Sequence, residues 1–240
     1  MLAVLLLYGC RSTRFVPDDM YLLSDIDINI DNKQVDKNEF ANYLRQKENL
    51  KILGFIKFHL WLYNISDKNK EKSMLREIGE PPVIYDQGLH EKSMEQISQY
   101  LYNKGYYQAK VSDEVELKNK KAFLTYKIQT GDPYLIRNIN HEIKDTVIAK
   151  YIEKANDETL IKSGDIFDVD ILDKERSRIR RILNDEGFYK FVEDYIHFRI
   201  DSLLNNKMAD IYMIVENPGS STDGNVKSHK KYNIKDYEIS

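Results

Sequence analysis

Apolar and polar residues alternate one by one through Leu22–Ile30, where Ile26, Ile28 and Ile30 are separated by Asp27 and Asn29. A two-residue period is that of a strand with one face buried. The period then changes. Asp36 suits a helix N-cap, and Glu39, Phe40, Tyr43 and Leu44 follow at helical spacing, which predicts a first helix. A second helix is predicted over residues 86–104, where Asp86 is placed to cap it and Leu89, Met94, Ile97 and Leu101 fall near one face. Gly105 comes next as its stop, because glycine takes the left-handed conformation without a Cβ penalty. Alternation returns at Tyr107, Ala109, Val111, Val115 and Leu117, a predicted strand, and residues 122–128 read as its hairpin partner across a turn carrying Lys118, Lys120 and Lys121.

The same order then recurs. Tyr21-Leu22-Leu23 through Ile30 matches Tyr134-Leu135-Ile136 through Ile143 in apolar pattern. Ile84-Tyr85-Asp86 matches Ile166-Phe167-Asp168, and that offset continues through Ile97 and Ile179, and Leu101 and Leu183, to Gly105-Tyr106-Tyr107 and Gly187-Phe188-Tyr189. Residues 122–128 match 209–215. Successive blocks in one order mark an internal repeat, which decides the fold before any single element does. In the second copy a strand is expected at Leu135–Ile143, a helix over residues 146–155, a long helix capped by Asp168 or Asp170 and stopped by Gly187, and strands over 189–200 and 208–215. This copy places Tyr189, Phe191, Tyr195, Phe198 and Ile200 in the strand after the glycine. Tyr232-Asn233-Ile234 begins as Tyr134-Leu135-Ile136 does, and the chain stops at Ser240 inside what should be another first strand. The expected organisation is a module at 20–131 with an insertion around 50–82, a module at 132–218, a linker at 219–231 and the start of a third module at 232–240. The chain is therefore expected to be part of something longer. Each module reads as α+β: strand, two helices, hairpin, giving a three-stranded mixed sheet with two helices on one face.

The insertion holds Phe55, Phe58, Leu60, Trp61 and Leu62, and then a charged stretch at 67–72. The expectation is an extra apolar helix or strand that covers an open face of the first module, since apolar aromatics more often pack than bind; a docking surface for membrane or partner is the sharper alternative.

A formal net charge of -3 over 240 residues gives no electrostatic case for nucleic acid as the main partner. The single cysteine, Cys10, excludes an intrachain disulfide and a thiolate metal site. Residues 2–8 are continuously apolar and end at Gly9-Cys10. The run is too short to span a bilayer, which takes about 20 residues, but suits the apolar part of a secretion signal. Leu7, Gly9 and Cys10 look like a bacterial lipobox, with Tyr8 departing from the usual small residue. Cys10 is thus the expected lipid-attachment residue, and the chain beyond it is expected in the periplasm.

No catalytic constellation emerges. Asp25, Asp27, Asn29 and Asp31 resemble a calcium loop, but Ile30 stands where glycine is required and the alternation makes them the wet side of a strand. His141-Glu142 opens like a zinc motif, with Asp145 where the second histidine belongs. Arg176, Arg178, Arg180 and Arg181, interleaved with Asp173, Glu175, Asp185 and Glu186, read as a solvated, ion-paired helix face. No cofactor, no metal and no enzymatic activity are expected.

The order of elements, with the helix-glycine-aromatic-aromatic step at Gly105 and Gly187, resembles the POTRA domains that precede the membrane barrel in the BamA/TamA superfamily of outer-membrane assembly proteins. Thr13-Arg14-Phe15-Val16-Pro17, Ile52-Leu53-Gly54, Leu60-Trp61-Leu62-Tyr63-Asn64 and the segment from Gly79 to Asp86 are similar to TamA-like lipoproteins of Bacteroidota, the TamL type. The resemblance implies tandem POTRA modules on the periplasmic face of the outer membrane, with unfolded outer-membrane proteins as clients, a TamB-like periplasmic protein as partner, and a membrane barrel beyond Ser240. Strand addition would use the edges Tyr107, Ala109, Val111, Val115, Leu117 and Tyr189, Phe191, Tyr195, Phe198, Ile200. Two alternatives stay open: a POTRA-bearing pore for a dedicated secreted partner, and a scaffolding lipoprotein without a barrel.

Overall fold

The structure, a computed structural model, describes residues 12–67, 73–202, 206–219 and 227–233. Cys10 and the start of the expected third module beyond Asn233 lie outside the described residues. The chain divides into two compact units, one running to Tyr100 and including Ala109–Thr130, the other made of Leu101–Gln108 and the chain from Gly131 onward.

The first unit holds β1 (Leu22–Ile30), a 3-10 turn (Lys37–Asn42), α1 (Phe58–Ile65), α2 (Met74–Ile78), most of α3 (Gln87–Asn103), β2 (Lys110–Lys118) and β3 (Lys121–Gln129). Its sheet runs β1-β3-β2, with β1 parallel and β2 antiparallel to β3. Ala122, Leu124, Tyr126 and Ile128 alternate along β3 and are all buried, as a central strand with one covered face requires. Asn119 and Lys120 both take positive φ, which turns β2 into β3 over two residues with the twist the sheet needs.

The first predicted helix is shorter than its pattern. Asp36 caps it through the Asn38 N–H, but only the 3-10 turn Lys37–Asn42 forms, with Phe40 buried. The chain leaves the helical path because the Arg45 N–H is taken by Ser93 Oγ at 2.9 Å and Tyr43 packs on Tyr100, ring centroids 4.7 Å apart. The insertion covers the module only in part. Leu60 joins Val16 and Leu22 in a small core beneath Ile84, whereas Leu53, Phe55, Phe58 and Trp61 remain exposed. A helix as short as α1 has one face to bury, and Leu60 uses it.

The second unit repeats the plan: β4 (Leu135–Ile143), α4 (Thr146–Lys154), α5 (Val169–Asp185), β5 (Ile196–Asp201) and β6 (Met208–Val215), with sheet order β4-β6-β5 and the same mixed sense. Asp145 caps α4 by accepting from the Val147 and Ile148 N–H groups, and Asp168 rather than Asp170 caps α5. Both helices lie on one face of the sheet: Ile148 and Ile152 of α4 and Ile179 and Leu183 of α5 pack with Met213 and Val215 of β6. The two units are thus α+β folds of one order, each a three-stranded mixed sheet with helices.

Two predicted strands start late. Tyr107 and Ala109 precede β2, and Tyr189, Phe191 and Tyr195 precede β5. Between Gly187 and β5 the chain turns twice, through Phe191 N–H to Phe188 O at 2.8 Å and Tyr195 N–H to Val192 O at 3.2 Å. Phe191 is buried in the core rather than set along an edge. Asp25, Asp27 and Asn29 lie in β1 and His141 lies in β4, so both motif-like segments are strand.

Candidate functional site

In each sheet the third strand in sequence sits in the centre, which leaves two edges per unit. The edges differ in how they are covered. The outer margin of β1 is met at its start by a short segment: Leu23 N–H donates to Val83 O at 2.8 Å, Tyr85 N–H donates to Tyr21 O at 2.8 Å, and Leu22 bridges Ile84. In the second unit Ile136 N–H donates to Asp165 O at 2.8 Å, Phe167 N–H donates to Tyr134 O at 2.8 Å, and Leu135 bridges Ile166. The repeated Ile84 and Ile166 blocks are therefore partial covers for β1 and β4, a role the sequence pattern did not disclose.

β2 has no such cover. Among the described residues, no backbone hydrogen bond outside the sheet reaches Lys110–Lys118. Val111, Val115 and Leu117 lie on this strand. Asp113 shares the Val111 and Val115 face by the two-residue period, and its Oδ2 lies 3.0 Å from Nε2 of buried His90 on α3. His90 Nδ1 is 3.1 Å from the Tyr126 hydroxyl of β3. Burial first, with Asp113 among nearby charges, raises the Tyr126 phenol above its ordinary value. An inward-pointing charge on an edge strand is a known guard against uncontrolled pairing, as are the edge lysines Lys110 and Lys118. His90 satisfies that charge and fixes β2 to α3.

β5 is shorter and partly guarded. Phe198 and Ile200 turn inward and pack against the core, while Ile196 O accepts from Arg176 Nε at 3.1 Å. An open cleft of about 1060 Å³ runs between α5 and β5, lined by Arg176, Arg180, Arg181, Glu193, Ile196 and His197. Arg176 also bonds Asp173, and Arg180 Nε donates to Glu193 at 2.9 Å. Arg176 and Arg180 are thus ion-paired as expected, with one correction. Arg178 is not on the solvated face: it is buried against Glu175, with Nη2 donating at 2.6 Å and Nε at 2.8 Å. Glu175 also accepts from Thr159 Oγ1 at 3.0 Å and Leu160 N–H at 3.1 Å, and Arg178 Nη1 donates to Ala155 O at 3.0 Å. Helix turns place residues three apart on one face whichever way that face points, so the spacing could not distinguish a buried pair from a solvated one.

Gly105 and Gly187 take φ of +82° and +95°. Each also meets backbone that a Cβ would strike: Phe167 O at 2.5 Å from the first and Tyr232 O at 2.7 Å from the second. Gly105 O accepts from Tyr134 N–H at 2.9 Å, and Gly187 O accepts from Tyr232 N–H at 2.9 Å. Tyr107 is packed rather than presented: it lies between Tyr102 and Tyr134, and burial, with those two neighbours, pushes its phenol up to about 12.

The family model POTRA, surface antigen variable number repeat, matches residues 21–131. The second unit repeats the POTRA order of elements and its sheet topology. No curated protein matches the chain in sequence. Among solved structures, the chain is similar to POTRA3-5 of Haemophilus influenzae BamA at 14 % identity and TM-score 0.43, covering 91 % of this chain and 83 % of that one. It is similar to Haemophilus ducreyi BamA lacking POTRA domains 1-3 at 17 % identity and TM-score 0.40, covering 81 % of this chain and 29 % of that one. POTRA1-3 of the periplasmic domain of Omp85 from Anabaena matches at 11 % identity and TM-score 0.32, covering 81 % of this chain and 65 % of that one.

Proposed function

We propose that this chain is the periplasmic, POTRA-bearing region of an outer-membrane protein assembly factor, and that it holds extended client or partner segments by strand addition at β2 and β5. One observation carries the reading: β2, over Lys110–Lys118, is an edge strand whose outer margin has no backbone partner among the described residues. An added strand takes its affinity from main-chain hydrogen bonds and only loose specificity from side chains, which suits many different unfolded barrel proteins. The charged guards Asp113, Lys110 and Lys118 leave the margin open to an incoming strand while discouraging a second copy of β2. The role is binding, not catalysis. Three further elements belong to the reading: attachment to the outer membrane through a lipid on Cys10, a TamB-like periplasmic partner, and a further module beginning at Tyr232. The last is supported by Tyr232 N–H meeting Gly187 O as Tyr134 N–H meets Gly105 O.

The test is site-specific photo-crosslinking from Ser112 and Glu116 on β2, and from His197 and Arg199 on β5, to unfolded outer-membrane barrel peptides. Adducts at these strands are expected. Labelling confined to probes placed on α3 and α5 rejects strand addition.

A further inference from the structure

The insertion carries the largest apolar side chains left in water by the first unit. Leu53 is 79 % exposed and Phe55 73 %, and Ile56, Phe58, Trp61 and Ile65 are exposed beside them. Single exposed apolar residues are ordinary, but a contiguous group marks an interaction surface. Phe55, Ile56, Phe58 and Trp61 form such a group. The Phe58 and Trp61 rings stack at 5.7 Å, and Phe55, Ile56, Leu60, Trp61 and Phe123 line one open groove of about 650 Å³. Ser12 lines the same groove.

Ser12 decides what covers the patch. Its carbonyl accepts from Asn64 Nδ2 of α1 at 3.3 Å, and Arg14 Nη1 donates to Asn64 O at 2.7 Å and to Ser66 O at 3.3 Å. The entering chain is therefore clamped to the end of α1. Cys10 precedes Ser12 by two residues, and two residues of chain reach at most about 7 Å. A lipid on Cys10 would therefore leave the chain within that reach of Ser12, which lines the groove. Apolar aromatics next to an acyl attachment point are the chemistry of a membrane interface, where tryptophan and phenylalanine insert at headgroup depth.

We infer that the insertion is a membrane contact: Leu53, Phe55 and Trp61 enter the headgroup region of the bilayer to which Cys10 is anchored, and press the first unit against it. The inference rests on the proposed lipid attachment at Cys10. It commits the patch to lipid rather than to a protein partner.

Trp61 is the only tryptophan in the chain, so its emission reports on this surface alone. The full acylated chain is incorporated into phosphatidylethanolamine–phosphatidylglycerol vesicles with and without dibrominated phosphatidylcholine, and flotation is followed beside Trp61 fluorescence. Co-flotation, a blue shift and loss of Trp61 fluorescence in brominated vesicles are expected. The double variant Leu53→Ser/Phe55→Ser, altered only at exposed positions, is expected to float but to keep more of its Trp61 fluorescence. Flotation with Trp61 unquenched overturns the inference while the anchor stands, as does a double variant quenched as fully as the parent. A chain that does not float overturns anchor and inference together.

Discussion

The buried pair Glu175–Arg178 offers the sharpest test of how the second unit is held together. Their side chains are 3 % and 7 % exposed. Replacing Glu175 by Leu leaves the guanidinium buried without its counter-ion and the Leu160 N–H without an acceptor. Replacing Arg178 by Met leaves the carboxylate with Thr159 and Leu160 alone, while Ala155 O keeps only the Glu158 N–H. Breaking a buried pair from one side costs about 3–5 kcal/mol, because an uncompensated charge stays in low dielectric. The double variant Glu175→Leu/Arg178→Met buries no charge. Its cost reduces to one orphaned backbone group, the Leu160 N–H, at about 1–3 kcal/mol. The two singles should therefore sum to well above the double, with a coupling energy of several kcal/mol. The assay is urea unfolding followed by far-ultraviolet circular dichroism, with Trp61 fluorescence reporting the first unit in the same samples. Single losses under about 1 kcal/mol that add in the double variant, as for a solvated surface pair, would refute the buried-pair reasoning.

Other expectations rest on the same structure. Burial by itself would raise the Glu175 carboxyl, but hydrogen bonds from Arg178, Leu160 N–H and Thr159 outweigh it and hold the group below its ordinary value. A depressed carboxylate contributes stability above its unfolded value of about 4.3 and loses it as pH falls through the folded one; urea midpoints should therefore drop more steeply below about pH 4 in the parent than in Arg178→Met. Gly187→Ala should cost more than Gly164→Ala: φ is +95° and +91°, but only at Gly187 does the new Cβ meet backbone, Tyr232 O at 2.7 Å. The shared left-handed cost is about 1–2 kcal/mol, and amide exchange at Tyr232 should quicken in the first variant alone. His90→Leu removes the partner of Asp113 and one partner of Tyr126, and should cost about 1–3 kcal/mol, read as an earlier Trp61 thermal transition; an unchanged transition would mean that the β2–α3 tie adds nothing.

Much of the fold was legible because the chain states it twice. Ile84 and Ile166, Gly105 and Gly187, and the two buried alternations Ala122–Ile128 and Ala209–Val215 recur in one order, and both sheets have their third strand in the centre. What the pattern does not carry depends on partners distant in sequence. Arg45 leaves the helical path for Ser93 Oγ, 48 positions away. Phe191 fits an alternating strand as well as it fits the core, and only the turns around it decide. Val111 and Val115 mark β2 as a half-buried strand, but its place at the edge depends on which strand pairs with β1. The aromatics of the insertion have the composition of covering material, and residue type alone does not reveal that Leu60 satisfies the one available face.

Tyr232 held at the Gly187 carbonyl has a mechanical consequence. Some dozen residues of unconstrained chain would scatter their far end over roughly 20 Å. With Tyr232 N–H fastened to Gly187 O at 2.9 Å, and His229 N–H on Asp145 at 2.9 Å, the segment returns to the body it left. Whatever continues past Asn233 then departs from a post set beside the end of α5.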